Sequence, residues 1–115
     1  MNEPQIRQEK TENSHVICLN GRVDQLVTPK LEATLTDLNQ AGHNRLLIDF
    51  TAVHYINSGG LRCLITAWRR ARRHGGDVVL YGLNNRLQDL FKMVGFDKVF
   101  HIYPTREMAM SSWQK

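Results

Sequence analysis

The stretch whose reading decides the fold runs from Leu46 to His74, LLIDFTAVHYINSGGLRCLITAWRRARRH. It opens with Leu46, Leu47, Ile48, Asp49 and Phe50, a nearly continuous apolar run that suits a strand buried on both faces of a parallel sheet. A polar turn follows, Asn57-Ser58-Gly59-Gly60, and then a long segment with helical periodicity. At about 100° per residue, Leu61, Leu64, Ile65, Trp68 and Ala71 share one helix face, while Arg62, Thr66, Arg69 and Arg73 line an adjacent flank. Ser58 falls beside that flank, at an exposed helix start.

Working toward the N-terminus, residues 5–10 and 15–20 read as two strands around the polar turn Lys10 to Ser14. Asn20-Gly21-Arg22 reads as a turn that leads the chain into Val23-Asp24. Thr28 before Pro29 marks a helix start: a hydroxyl N-cap, then proline where its missing N–H costs nothing. That helix carries Leu31, Leu35 and Leu38 on one stripe and stops near Gly42.

Toward the C-terminus, Gly75-Gly76 ends the long helix, and Asp77 to Tyr81 is a second short buried strand. Asn84 or Asn85 caps a third helix with Leu87, Leu90, Phe91 and Val94 facing inward, closed by Gly95. Lys98 to Ile102 reads as a final strand. Pro104-Thr105 then introduces an amphipathic helix through Met108, Ala109, Ser112 and Trp113. Strand and helix alternate, which predicts an α/β fold: a mixed, mostly parallel sheet of four to five strands with about four helices.

With 115 residues and 42% hydrophobic composition, the chain has room for one domain with a proper core, spanning residues 1–115. The formal charge of +4 is concentrated in Arg62, Arg69, Arg70, Arg72 and Arg73, a local patch rather than a nucleic-acid arm. Cys18 and Cys63 lack the spacing of a zinc or redox motif and read as reduced structural thiols. The N-terminal MNEPQIRQEKTENSH has no apolar signal core and no run is long enough to span a bilayer, so the expectation is a cytoplasmic protein without a membrane partner.

An exposed serine invites an enzymatic reading, but a nucleophile elbow needs glycine two residues before Ser58, where Ile56 stands. His54 has no paired acid signalled nearby and reads as solvent-facing. Asn57-Ser58-Gly59-Gly60 lacks the lysine of a nucleotide-binding loop, and His74-Gly75-Gly76-Asp77 leads into a strand rather than a helix. His15, His43, His54, His74 and His101 are scattered over different elements without ligand spacing, so no metal site is expected. No catalytic residue and no cofactor follow.

Two features remain. A basic helix stripe is ordinarily a solvated face; if this one binds, the lack of interleaved aromatics favours an acidic protein surface over direct nucleic-acid contact. A serine ahead of a helix is ordinarily there to cap it. Here Gly59 and Gly60 keep the backbone open, and the helix N-terminus offers unpaired N–H groups and a favourable field to an added anion. A phosphoryl group on Ser58 is compatible with such a start.

Ile48-Asp49-Phe50-Thr51, Val53 and Ile56-Asn57-Ser58-Gly59-Gly60-Leu61 together resemble the signature of the STAS domain, found in bacterial anti-sigma factor antagonists and in sulfate transporter tails. Leu19-Asn20-Gly21-Arg22-Val23-Asp24 is similar to the family's Gly-x-hydrophobic-Asp segment, and Leu90-Phe91 to Val94-Gly95-Phe96 to its C-terminal helix and turn. A stand-alone chain without a transmembrane part resembles the antagonist branch. The resemblance implies a non-enzymatic partner switch, in which the unphosphorylated domain binds an anti-sigma factor that is also a serine kinase and so frees a sigma factor. Phosphorylation of the motif serine, matched by Ser58, ends that binding, and a serine phosphatase restores it. The docking surface it implies comprises Asp24, Asn57, Ser58, Gly59, Gly60, Arg62 and Arg69. Asn57 departs from the best-known pattern, which has aspartate there; this removes a negative charge beside the acceptor hydroxyl. That departure motivates the alternative of a STAS adaptor or scaffold subunit that is not phosphorylated.

Overall fold

A computed structural model describes residues 5–113. The elements follow the predicted alternation: β1 (Ile6–Lys10), β2 (His15–Val23), α1 (Thr28–Gln40), β3 (Arg45–Ile56), α2 (Ser58–Arg73), β4 (Asp77–Tyr81), α3 (Asn85–Met93), β5 (Ile102–Tyr103) and α4 (Arg106–Ser111). The five strands form one sheet in the order β1-β2-β3-β4-β5. Only β1 runs antiparallel, to β2; the remaining pairs are parallel.

Because side chains alternate across a strand, each central strand divides its apolar residues between two cores. Ile17, Leu19, Leu46, Ile48, Phe50, Val78 and Leu80 point to the larger core, with Leu31 and Leu35 of α1, Leu64 and Ala71 of α2, and Leu87 and Phe91 of α3. Val16, Cys18, Leu47, Val79 and Tyr81 face a smaller core with Ala109 of α4. That second face also carries a polar cluster: the Tyr81 hydroxyl donates to Asp49 Oδ2 at 3.1 Å, and Arg106 donates to Glu9 Oε1 at 2.8 Å. The Arg106 and Arg7 guanidinium groups hold the Glu9 carboxyl down at about 2.

Several boundaries differ from the sequence expectation. Asn20-Gly21-Arg22 is not a turn but part of β2, where Gly21, at φ +82°, falls among register shifts opposite β3. β3 does not stop at Phe50; it runs six residues further to Ile56, beyond the end of β4, paired there only with β2. Thr28 is not the N-cap of α1: Val27 takes that position without a side-chain cap, and the hydroxyl of Thr28 turns elsewhere. The predicted strand from Lys98 to Ile102 is a short 3-10 turn at Phe96–Lys98 followed by the two-residue β5. Val94 and Met108, expected inward, are 44% and 50% exposed, each lying near the end of a short helix. Leu61, Ile65 and Trp68 are only partly buried; Cys63 and Ala67 complete the buried stripe of α2.

Candidate functional site

The site lies where β2 and β3 end side by side and α2 begins. The backbone N–H of Asn57 donates to the Val23 carbonyl at 3.0 Å, continuing the strand pairing by one residue past Ile56. Asn57 is then the N-cap of α2, extended at φ −90° and ψ 176°, and its Oδ1 accepts from Gly60 N at 2.8 Å. A cap of this kind satisfies one of the helix's orphan donors.

The same Oδ1 is approached from below by Thr28. Its hydroxyl is 3.1 Å from Asn57 Oδ1 and 2.9 Å from the Asp24 carbonyl, so one proton is shared between two acceptors. Thr28 thereby ties the start of α1 to the start of α2. Asp24 in turn folds the β2–α1 loop: its Oδ1 accepts from Leu26 N at 3.0 Å and Val27 N at 3.3 Å. The consequence is that Leu26 is held out on this surface, 71% exposed.

The two glycines have different jobs. A Cβ on Gly60 would lie 2.7 Å from Ile56 Cγ1 and 3.0 Å from Val23 Cγ1, so the helix start sits against the strand ends only because that position lacks a side chain. A Cβ on Gly59 would meet Thr28 Cγ2 at 3.1 Å, tighter than ordinary contact. Ser58 occupies the first helical position and is exposed.

Of the residues expected to act together, Asp24, Asn57, Ser58, Gly59 and Gly60 gather at this one end, and Arg62 is exposed one turn into α2. Arg69 is exposed too, but eleven residues past Ser58 it lies about 16 Å down the helix axis. Arg70, another of the clustered arginines, reaches Thr36 of α1 and donates to its hydroxyl at 3.0 Å. Leu26 and Thr28 were not anticipated as site residues. Thr28 carried a signal, a hydroxyl ahead of proline, but its contact lies 29 residues along the chain. Near the same end, the Arg22 guanidinium stacks 4.2 Å from the centre of the Tyr55 ring.

The histidines lie on different elements, as expected, but two of them meet in space: the His15 and His43 rings are 4.2 Å apart, at the opposite end of the strands. His54 is exposed. Both cysteines are buried and free, and burial pushes both thiols up, Cys18 to about 11. Among the described residues no group of three or more His, Cys, Asp or Glu is placed to hold a metal, and no helix is long and apolar enough to cross a membrane.

The model of the STAS domain matches residues 5–109. The chain belongs to the STAS domain family. Within this family it is similar to the anti-sigma-B factor antagonist of Listeria monocytogenes, with 30% identity over 98 residues, 84% of this chain and 86% of that one. The protein BtrV of Bordetella bronchiseptica is 28% identical over 109 residues, 95% of this chain and 94% of that one. Among solved structures, an anti-sigma factor antagonist from Mycobacterium paratuberculosis superposes with a TM-score of 0.87 at 22% identity, covering 100% of both chains. These likenesses place this STAS chain with the anti-sigma factor antagonists, which are non-enzymatic regulatory proteins.

Proposed function

We propose that this chain is a partner-switching anti-sigma factor antagonist whose unphosphorylated form binds an anti-sigma factor that is also a serine kinase, releasing a sigma factor. Phosphorylation of Ser58 cancels the binding and a serine phosphatase restores it. The observation that carries this reading is the exposed Ser58 hydroxyl on the first turn of α2, above a base that Asn57, Thr28 and Gly60 fix in place.

The physics of the switch is local. A phosphoryl group adds about −1.5 to −2 charges at pH 7. A helix N-terminus stabilises such a charge, so the fold has no reason to change. The partner, by contrast, must desolvate and approach that charge, and docking is lost to repulsion and desolvation. A relative of the same fold, the Bacillus protein SpoIIAA, has been solved in unphosphorylated and phosphorylated forms at 18% identity to this chain.

Pull-down of the purified kinase with Ser58→Ala and Ser58→Asp tests the proposal. Retention by the alanine variant and loss by the aspartate variant are expected; equal recovery would overturn it. Asn57 favours a second reading, an adaptor that is never phosphorylated, since the acceptor has lost its acidic neighbour. Mass spectrometry of Ser58 after incubation with kinase and ATP separates the two: an unmodified serine is the adaptor's signature.

A further inference from the structure

β1 is the outermost strand of the sheet, and among the described residues its one strand partner is β2. The phase of its backbone is fixed by two bonds that flank the pairing: Asn20 N donates to the Gln5 carbonyl at 3.0 Å, and Thr11 N donates to the Ser14 carbonyl at 2.8 Å. In an antiparallel ladder, hydrogen-bonded pairs alternate with pairs that exchange no bond. Counting inward from Gln5 and from Thr11, Arg7 and Glu9 turn their backbone groups to Cys18 and Val16. The N–H and C=O groups of Ile6, Gln8 and Lys10 therefore point away from the sheet.

Such an edge is a template for another strand, and proteins commonly blunt it with charge. This one carries both signs. Because side chains alternate, Arg7 and Glu9 share the face of the smaller core with Cys18 and Val16, and Ile6, Gln8 and Lys10 share the other face. Arg7, Gln8 and Lys10 are exposed, and Ile6 is partly buried against the larger core. The Arg7 guanidinium meets Glu9 Oε2 at 3.2 Å with 59% of its side chain in solvent, while Arg106 holds Oε1 at 2.8 Å.

We propose that this edge pairs with a second copy of the chain, β1 against β1 in antiparallel, across a two-fold axis at Gln8. The register follows from the alternation and the charges. A bonded ladder needs the outward-pointing residues to face one another, and an axis at Arg7 or at Glu9 would meet that need only by setting Arg7 or Glu9 against itself. Axes at Ile6 or Lys10 run part of the strand past the end of its copy. With the axis at Gln8 all five residues of β1 pair: Arg7 faces the copy's Glu9, and the Lys10 stem lies along the copy's Ile6. Ile6, Gln8 and Lys10 of each chain then donate one backbone bond and accept one.

The exposed Arg7–Glu9 contact within one chain is a weak one, and it exchanges for the contact across the axis without leaving an ion unpaired. The axis stands normal to the sheet, so like faces stay together and the sheet continues from chain to chain. The two Ser58 platforms are sent to opposite ends. β2 separates this edge from β3 and Ser58, so the pairing leaves the switch open and does not depend on it.

Sedimentation equilibrium and amide hydrogen exchange of the unmodified chain, followed from dilute to concentrated solution, test the pairing. We expect the mass to rise from one chain to two. The amides of Ile6, Gln8 and Lys10 should slow roughly tenfold once about nine chains in ten are paired, while those of Arg7 and Glu9 are slow throughout. Gln8→Pro removes an outward N–H and no bond to β2, a place where edge strands accept proline, and should keep the chain monomeric with its circular dichroism unchanged. Arg7→Glu sets like charges against each other on both sides of the axis and should weaken the dimer about tenfold at low salt. A single chain at every concentration would overturn the pairing. So would a dimer whose Ile6, Gln8 and Lys10 amides stay fast, since the contact would then lie elsewhere. Protection of those amides that is the same at every concentration would overturn it too, since the edge would then be closed within one chain.

Discussion

At the carboxyl ends of β2 and β3, Asn57 Oδ1 takes a backbone N–H and a hydroxyl, Asp24 closes its own loop, and a glycine lets helix and strands touch. At the amino ends of the same strands, the His15 and His43 rings lie 4.2 Å apart, tilted by 38°, and an open cleft separates the elements. One end is a preorganised platform that presents a single hydroxyl; the other is an open recess lined by polar side chains. The difference follows from helix direction. Asn57 caps the start of α2 with its side chain and so helps to build a rigid floor, whereas the ends of α1 and α2 close chiefly on their own backbone.

That contrast concerns side chains, and the amino end still has one rigid point. Gly76 passes so close to the Asn44 carbonyl that a Cβ would run into it, and the same carbonyl accepts from Asp77 N at 2.9 Å. Gly76→Ala must displace backbone and lose that bond, so it should cost about 3 kcal/mol. This is the largest effect we expect, read as a drop in the urea midpoint. A cost under about 0.5 kcal/mol would show that the amino end is plastic in its backbone as well.

The platform is sharpened by a smaller change. Asn57→Ala removes the acceptor for Gly60 N and for the Thr28 hydroxyl, and should cost about 1 to 2 kcal/mol. Asn57→Asp should be close to neutral in stability, because a carboxylate caps as well and sits at the positive end of the helix. Thermal melts of the two variants side by side decide whether Asn57 acts as a cap: equal losses would mean that the amide N–H groups, not Oδ1, matter.

The order of elements was legible because β3 begins as an apolar run and the helices are punctuated by proline, asparagine and glycine. The extent of β3 was not. Beyond Phe50 only Val53 and Ile56 are buried, a spacing of three that breaks the two-residue alternation, and the cause is the irregular pairing with β2 around Gly21. Ser58 and its glycines were legible from the motif, and Asn57 from its capping chemistry. Leu26 was hidden because its exposure depends on a loop closed by Asp24, and the meeting of His15 with His43 because it joins two elements distant in sequence. Local chemistry can be read along the chain; what two elements do to each other cannot.

The smallest effect on stability separates the platform from the switch it is proposed to carry. Ser58→Asp places a carboxylate on the first turn of α2, which has no acidic residue there and ends in Arg70, Arg72 and Arg73. The helix field should stabilise the fold by about 0.3 to 1 kcal/mol at low salt, and added salt should erode the gain. The same substitution is expected to abolish docking. A variant that is at least as stable as the parent yet cannot bind would locate the block at the interface. If Ser58→Asp instead lost stability in step with binding, the added charge would be acting by loosening the floor formed by Asn57 and Thr28, and the claim that the fold tolerates a phosphoryl group would fail.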